Sequence, residues 1–460
     1  MFKMRAKFLF LFLLIVLNLS AQNEFNNWFF GIGNGLNFST PTPTLILGSP
    51  INQTEGVASI SDASGNLLFY TSGVVIYDRF NNIMLNGTGL LGDPSSTQSS
   101  IIVKKPFSNS IYYVFTADND AGPDGIRWSE VDMTLNGGLG AVTTNKNILL
   151  HTPSCEKLCA VRHCDGERIW VISRDWNSNV FRAWLVDGIN PIGSITSWSI
   201  AGPTINGATQ SAYGQLKASS DGRRLGACYY GLSGSGANRI EVYDFDNLTG
   251  YVSNPITLST NIVGPYGCEF SQSGRIFYAT TNQGRLFQWD LCSQNVIGSR
   301  IEIVNAGPFF GSLQMAPNGK IYTGRGTQPR LSCINFPEIY GLGCGFTLNA
   351  VTLNGNAMFG LPNFPSYYLR PYLYSVEITQ QECNQFCFTY PTPPVLCGSP
   401  NITYQWVFED GSTQNGLTVC KTLTNNQTVL FKVIRPCLTD SIFIDIDVTS
   451  ANVTISPIYH

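Results

Sequence analysis

Glu55 and Glu156 hold the same place in a recurring phrase, the first opening EGVASIS and the second EKLCAVRH. Two carboxylates flanking a glycosidic bond are the machinery of its hydrolysis: one gives a proton, the other activates water or attacks carbon. Two carboxylates that only begin strands are isolated polar residues. The second condition is the expectation here, because a fold does not by itself confer catalysis.

Other chemistries have less support. A serine or cysteine hydrolase needs a base beside its nucleophile, and the histidines are His151, His163 and His460. His163 lies in the strand AVRHCDG, where a structural role is expected. No nucleophile elbow, phosphate loop or dinucleotide fingerprint stands out. GIGNG from Gly31 lacks the βαβ setting and reads as a hairpin turn. Asp118, Asp120 and Asp124 in TADNDAGPDGIRW alternate oxygen ligands as a calcium loop does, without a glutamate at bidentate distance. A solvated turn is expected; calcium is the one cofactor left open, and no other is implied. Cys155, Cys159 and Cys164, near His151 and His163, are zinc-ligand types without paired C-x2-C spacing. The turn SSDGRRL from Ser219 resembles the Asp-box turns of sialidases, but Arg79, Arg127, Arg162, Arg174 and Arg182 show no repeating phase that would build an arginine cluster.

The elements that must position these residues repeat. A glycine turn feeding an alternating strand recurs as SDASGNLLFYTS, RHCDGERIWVIS, ASSDGRRLGACYY, FSQSGRIFYATT and MAPNGKIYTGR, with turn glycines at Gly65, Gly166, Gly222, Gly274 and Gly319. A degenerate copy, KPFSNSIYYVFTAD, starts at Lys105. A second element precedes each turn: EGVASIS, QSSIIVKK, EKLCAVRH, YGQLKAS, YGCEFS and FGSLQMAP, with a further copy FGLPNFPSYY from Phe359. From Glu55 to Phe359 the period is about 51 residues, that of a four-stranded propeller blade. The expected fold is therefore all-β, a seven-bladed β-propeller. Residues 28–49 are expected to complete the blade containing residues 359–368, so that both ends latch the ring.

In such a ring the residues just before each inner strand crowd the channel mouth. They are Glu55, Gln98, Glu156, Tyr213, Tyr266, Phe310 and Phe359. Aromatic faces with a few convergent polar groups suit sugar or peptide capture. The expectation is a binding or adhesion protein without catalysis, holding an extracellular glycan or protein there. A glycan-active hydrolase and a structural component of an envelope or gliding apparatus are the alternatives.

Charged residues make up only 12% of the chain and net charge is −3, so there is no basic footprint for nucleic acid. Lys3, Arg5 and Lys7 precede an apolar run from Phe8 to Leu19, as in an export signal over residues 1–21. No later apolar run is long enough to span a bilayer, so an extracellular or outer-surface location without a transmembrane segment is expected. Cysteines of an exported chain point to disulfides. Cys333 and Cys344 are expected to pair across a short loop. At least one bond is expected among Cys383, Cys387, Cys397, Cys420 and Cys437, and the Cys155 group is expected to supply another. Cys228, Cys268 and Cys292 read as buried thiols.

The propeller is assigned residues 22–374, and residues 375–460 a small β-sandwich. There Tyr404, Trp406 and Phe408 alternate before a Glu-Asp-Gly turn, followed by strands TVLFKVI and SIFIDIDV. Trp406, Phe408, Asp410 and Gly411 resemble the hallmark of the PKD-type immunoglobulin-like domain, with Glu409 where that hallmark has its first acid. NNWFFGIGNGLNFST, EGVASISDASGNLLFYTSG, SSTQSSIIVKK, DMTLNGGLG and GLPNFPSYY together resemble exported propeller–PKD proteins of gliding-type Bacteroidetes that are associated with type IX secretion. That resemblance implies the fold more than it implies a biochemical role.

Overall fold

The computed structural model describes residues 23–231, 237–307, 309–369, 376–380, 384–390, 402–434, 439–448 and 452–457. Its helical elements are 3-10 turns of three or four residues, and no helix among the described residues is long and apolar enough to cross a membrane. The protein is all-β, as glycine turns and alternating strands require. Each turn glycine of the repeat, Gly65, Gly166, Gly222, Gly274 and Gly319, has positive φ, between 69 and 87°.

Antiparallel meanders follow one another along the chain. Four are separate four-stranded sheets, starting from the inner strands Cys159–Arg162, Leu216–Ala218, Pro265–Phe270 and Leu313–Met315. Two more start from Ala58–Ser61 and Ser100–Lys104 and merge into a nine-stranded sheet, because Ala141–Val142 pairs in parallel with Ile83–Thr88. Asn27–Phe30, Asn34–Asn37 and Thr44–Leu45 form a three-stranded sheet. Successive inner strands pack side by side around a common axis, a propeller-like arrangement. Apolar clusters fill the spaces between neighbouring sheets; Val161, Trp170, Leu225 and Tyr243 occupy one of them.

The ring closes by a route different from the expected one. The N-terminal sheet is wedged between the last and first meanders: Trp28, Phe29 and Leu36 share a cluster with Tyr322 and Leu331 on one side and Val57 and Tyr70 on the other. Residues 359–363 make no ladder with Asn27–Phe30. The Phe359 amide donates to Thr54 O at 2.9 Å and its carbonyl accepts from Ser312 N at 2.7 Å, while Asn363 N donates to Val57 O at 2.8 Å. Pro362, which forms a parallel bridge with Val57, has no N–H to offer a ladder. The tie to the N-terminal sheet is Ile32 N to Asn356 O at 3.0 Å, together with the rings of Phe25 and Trp28 against Phe364. Gly360 permits the closure, since a Cβ there would lie 1.7 Å from Glu55 O.

The C-terminal residues form a separate sandwich, one sheet of three strands and one of five, enclosing Phe388, Val419, Trp406, Phe431 and Ile444. Cys387 and Cys420 face each other across paired strands and are bonded. Cys383, Cys397 and Cys437 lie outside the described residues.

The expected Cys333–Cys344 bond is absent, and both thiols are free and buried. Cys333 faces the cluster of Trp28 and Leu331, whereas Cys344 faces that of Tyr278 and Ile334. Cys333 lies on the strand Arg330–Ile334 and Cys344 in the 3-10 turn Leu342–Cys344, and the two enter different apolar clusters, so loop length alone does not bring them together. Cys155, Cys159 and Cys164 form no disulfide either; each is buried within the packing of the sheets. Cys292, read as a buried thiol, is disulfide-bonded.

Candidate active site

Glu156 sits immediately before the inner strand Cys159–Arg162 and is fully buried. One carboxylate oxygen accepts the amide and hydroxyl of Thr97 at 2.7 and 2.8 Å; the other accepts the amide of Asp120 at 2.9 Å. Burial raises its pKa to about 7, against the lowering effect of these donors and of Lys157. Glu55 is half-buried at the same end of the axis. Burial pushes its carboxyl well above the ordinary range, and the charge of Glu156 pushes it further. The charge of Glu156 thus bears on the proton affinity of Glu55.

Tyr266 is 5% exposed, and its hydroxyl meets no partner at hydrogen-bonding geometry. It stands close enough to Glu55 for each to shift the other: burial first, then the Glu55 charge, holds the phenol well above its usual range. A buried hydroxyl without a partner is costly unless something else satisfies it. Tyr213, half-buried, donates to Asp120 Oδ1 at 2.7 Å and packs its ring against Tyr230 at 5.7 Å. Phe359 lies between Tyr266 and Phe309, with ring centroids 6.1 and 5.8 Å away.

Two residues expected at the mouth sit elsewhere. Phe310 is fully buried, packed on Phe346 with Arg325 over its ring. Its neighbour Phe309 takes the mouth position, 45% exposed at φ 75°. Gln98 lies deeper, bridging across the axis: its Nε2 donates to Leu158 O and Leu216 O at 2.8 and 3.1 Å, and its Oε1 accepts from Leu216 N at 2.7 Å. Gln215 and Asn363 bridge the axis in the same manner. The channel is thus plugged below the mouth. Beneath that layer, Lys217 and Glu269 bound a pocket of about 10 Å3, room for about one water.

Lys157, which the sequence did not single out, buries its ammonium on the carbonyls of Ala212, Tyr213 and Gly214 at 2.8–3.0 Å. Burial lowers its pKa to about 8. It fixes the backbone that carries Tyr213. The only sequence signal was a lysine directly after Glu156, inside an otherwise apolar strand start.

The three aspartates do not converge. Asp118 accepts the amides of Asn119 and Asp124, Asp124 pairs with Arg127, and Asp120 serves Tyr213. Among the described residues no group of three His, Cys, Asp or Glu gathers as a metal centre. His163 accepts the Asp165 amide at Nδ1, with Nε2 on Leu248 O, and His151 pairs with Asp175.

These sheets and this mouth define a β-propeller-like protein whose axial mouth brings two buried or half-buried carboxylates near aromatic side chains. No family model and no curated protein matches the chain. By structure it is similar to a candidate 6-phosphogluconolactonase from Bacteroides fragilis, at 13% identity over 87% of this chain and 92% of that one, TM-score 0.37. It is also similar to the periplasmic gluconolactonase of Pseudomonas aeruginosa, at 11% identity over 76% and 97%, TM-score 0.35. A Bacteroides caccae protein of unknown function aligns at 12% identity over 64% and 94%, TM-score 0.37. The expectation of a binding protein without catalysis is corrected here: two of these proteins are named as lactonases, which are hydrolytic enzymes.

Proposed function

We propose that the chain is a glycan-active hydrolase working at the axial mouth. The observation that carries this reading is Glu55, a half-buried carboxyl at the opening whose proton affinity is raised by burial and by the buried Glu156 behind it. A carboxyl whose proton affinity is raised above the ordinary range is suited to give a proton to a departing sugar oxygen, or to take one from attacking water. Glu55 is the residue that touches substrate. Tyr266, whose buried hydroxyl stands beside Glu55, offers it to the oxygen that gains charge. Glu156, with both oxygens occupied, is a positioning residue whose charge adds to the effect of burial on Glu55. The surrounding architecture is read as seven blades followed by a PKD-type module. The chain is read as one exported behind residues 1–21, of the gliding-associated Bacteroidetes kind, meeting an extracellular glycan.

The test is turnover by the purified chain on nitrophenyl glycosides and sugar lactones. Glu55→Gln is expected to lower kcat/KM at least a hundredfold. Glu156→Gln removes a neighbouring negative charge, so the pH limb belonging to Glu55 should move toward acid. Turnover unchanged by Glu55→Gln, or no turnover of any substrate by the native chain, overturns the reading.

A further inference from the structure

We propose that this site takes a sugar ring carrying no negative charge and rejects phosphorylated or otherwise anionic ones, an inference that rests on the hydrolase reading above. The charged groups facing the opening are acids. Asp120 is exposed beside Tyr213, and Asp93 and Asp118 are half-buried close by. Asp93 bears electrostatically on both Glu55 and Asp118. The cations nearby are turned away. Lys157 is fully buried with its ammonium on three backbone carbonyls. Arg325, 8% exposed, directs its guanidinium to Gln328, Asn349 and the Ala306 carbonyl. Among the described residues, a phosphate brought here would meet carboxylates and no guanidinium or ammonium free to receive it.

The walls suit an uncharged ring. Phe309 holds a conformation that bulky residues rarely adopt, and it does so with its ring partly in solvent against Phe359. Such strain persists where the surroundings enforce it, commonly at a ligand clamp. Tyr213 and Tyr230 offer a second aromatic surface on which the apolar face of a sugar can lie. The buried Tyr266 hydroxyl beside Glu55 is a donor or acceptor for a ring hydroxyl or carbonyl.

The experiment uses two measurements. Binding of glucose, glucosamine, glucose 6-phosphate and glucuronate to Glu55→Gln protein is followed by calorimetry. Turnover of glucono-δ-lactone and of a nitrophenyl glucoside by the native chain is compared with that of their 6-phosphorylated counterparts. The uncharged and amino sugars should bind, and the uncharged substrates react, at least tenfold better than the anionic ones. Asp120→Asn, which can still accept from Tyr213, should narrow that gap several-fold. Preference for uncharged sugars without any turnover would leave this inference standing while removing the hydrolase reading. Equal or better use of phosphorylated sugars would overturn the inference while leaving hydrolysis intact. Failure of every sugar to bind overturns it as well.

Discussion

Thr97 gives both its amide and its hydroxyl to one oxygen of Glu156, at 2.7 and 2.8 Å, across the boundary between two neighbouring meanders. The contact has two consequences. It closes the inner rim between the strands Ser100–Lys104 and Cys159–Arg162, and it keeps a carboxylate buried behind Glu55. Hydrogen bonds favour the charged form and burial opposes it; with a pKa of about 7, burial has the larger effect.

Stability should therefore depend on pH with a definite sign. The native Glu156 carboxyl binds its proton more tightly than the unfolded one, at about 7 against 4.5. Its contribution is fully present below pH 4.5 and is lost as pH rises through 7, a change of roughly 3 kcal/mol at most. Urea unfolding of the native chain at pH 5 and pH 8 should show the lower midpoint at pH 8. The difference should shrink in Glu156→Gln, and an equal difference in both proteins would refute the assignment.

Gln98 joins two sheets through four hydrogen bonds, to the amide and carbonyl groups of Leu158 and Leu216. Gln98→Ala leaves these backbone groups buried without that partner. The expected loss is about 2–4 kcal/mol, read as a fall in urea midpoint. Gln98→Glu should cost at least as much, because a buried charge replaces the amide.

Gly360→Ala tests the link between closure and site. Its Cβ would meet Glu55 O at 1.7 Å, so the backbone of one residue or the other must move. Stability should fall by roughly 1–3 kcal/mol. Turnover should fall further than unfolding explains, because Glu55 is displaced. Turnover lost only in proportion to the unfolded fraction would show that Glu55 needs no such placement.

The cysteines give a chemical check. Alkylation of the denatured, unreduced chain should label Cys333 and Cys344, while Cys387 and Cys420 resist until reduced. The bonded pair spans 33 residues. Cys420→Ser should thus destabilise the C-terminal sandwich by about 3–4 kcal/mol in the chain-entropy picture. The melting of the propeller-like part should be unaffected.

Much of the architecture was legible because it is periodic. A positive-φ turn admits glycine far more readily than other residues, so recurrent Asp-Gly, Ser-Gly and Asn-Gly turns marked where each meander reverses. The alternation of Tyr404, Trp406 and Phe408 likewise identified a strand whose Trp406 and Phe408 are buried. The candidate site was legible only as a position in the repeat: Glu55, Glu156 and Tyr213 precede inner strands, whereas Tyr266 lies within the strand Pro265–Phe270. Phe309 takes the mouth and Phe310 the core because the chain turns through a left-handed residue at Phe309, φ 75°, a one-residue detail that repeat spacing does not resolve.

Local sequence determined what each residue pair could form: turns, alternating strands, and an aromatic or acidic residue ahead of an inner strand. Which side chains meet depended on how separate sheets come together. Cys333 and Cys344 are close in sequence yet enter different interfaces, while Thr97 and Glu156 are 59 residues apart and share three atoms' worth of hydrogen bonding. The raised pKa of Glu55 belongs to the same category. It comes from burial and from the charge of Glu156, two quantities set by packing between distant segments and absent from the local pattern.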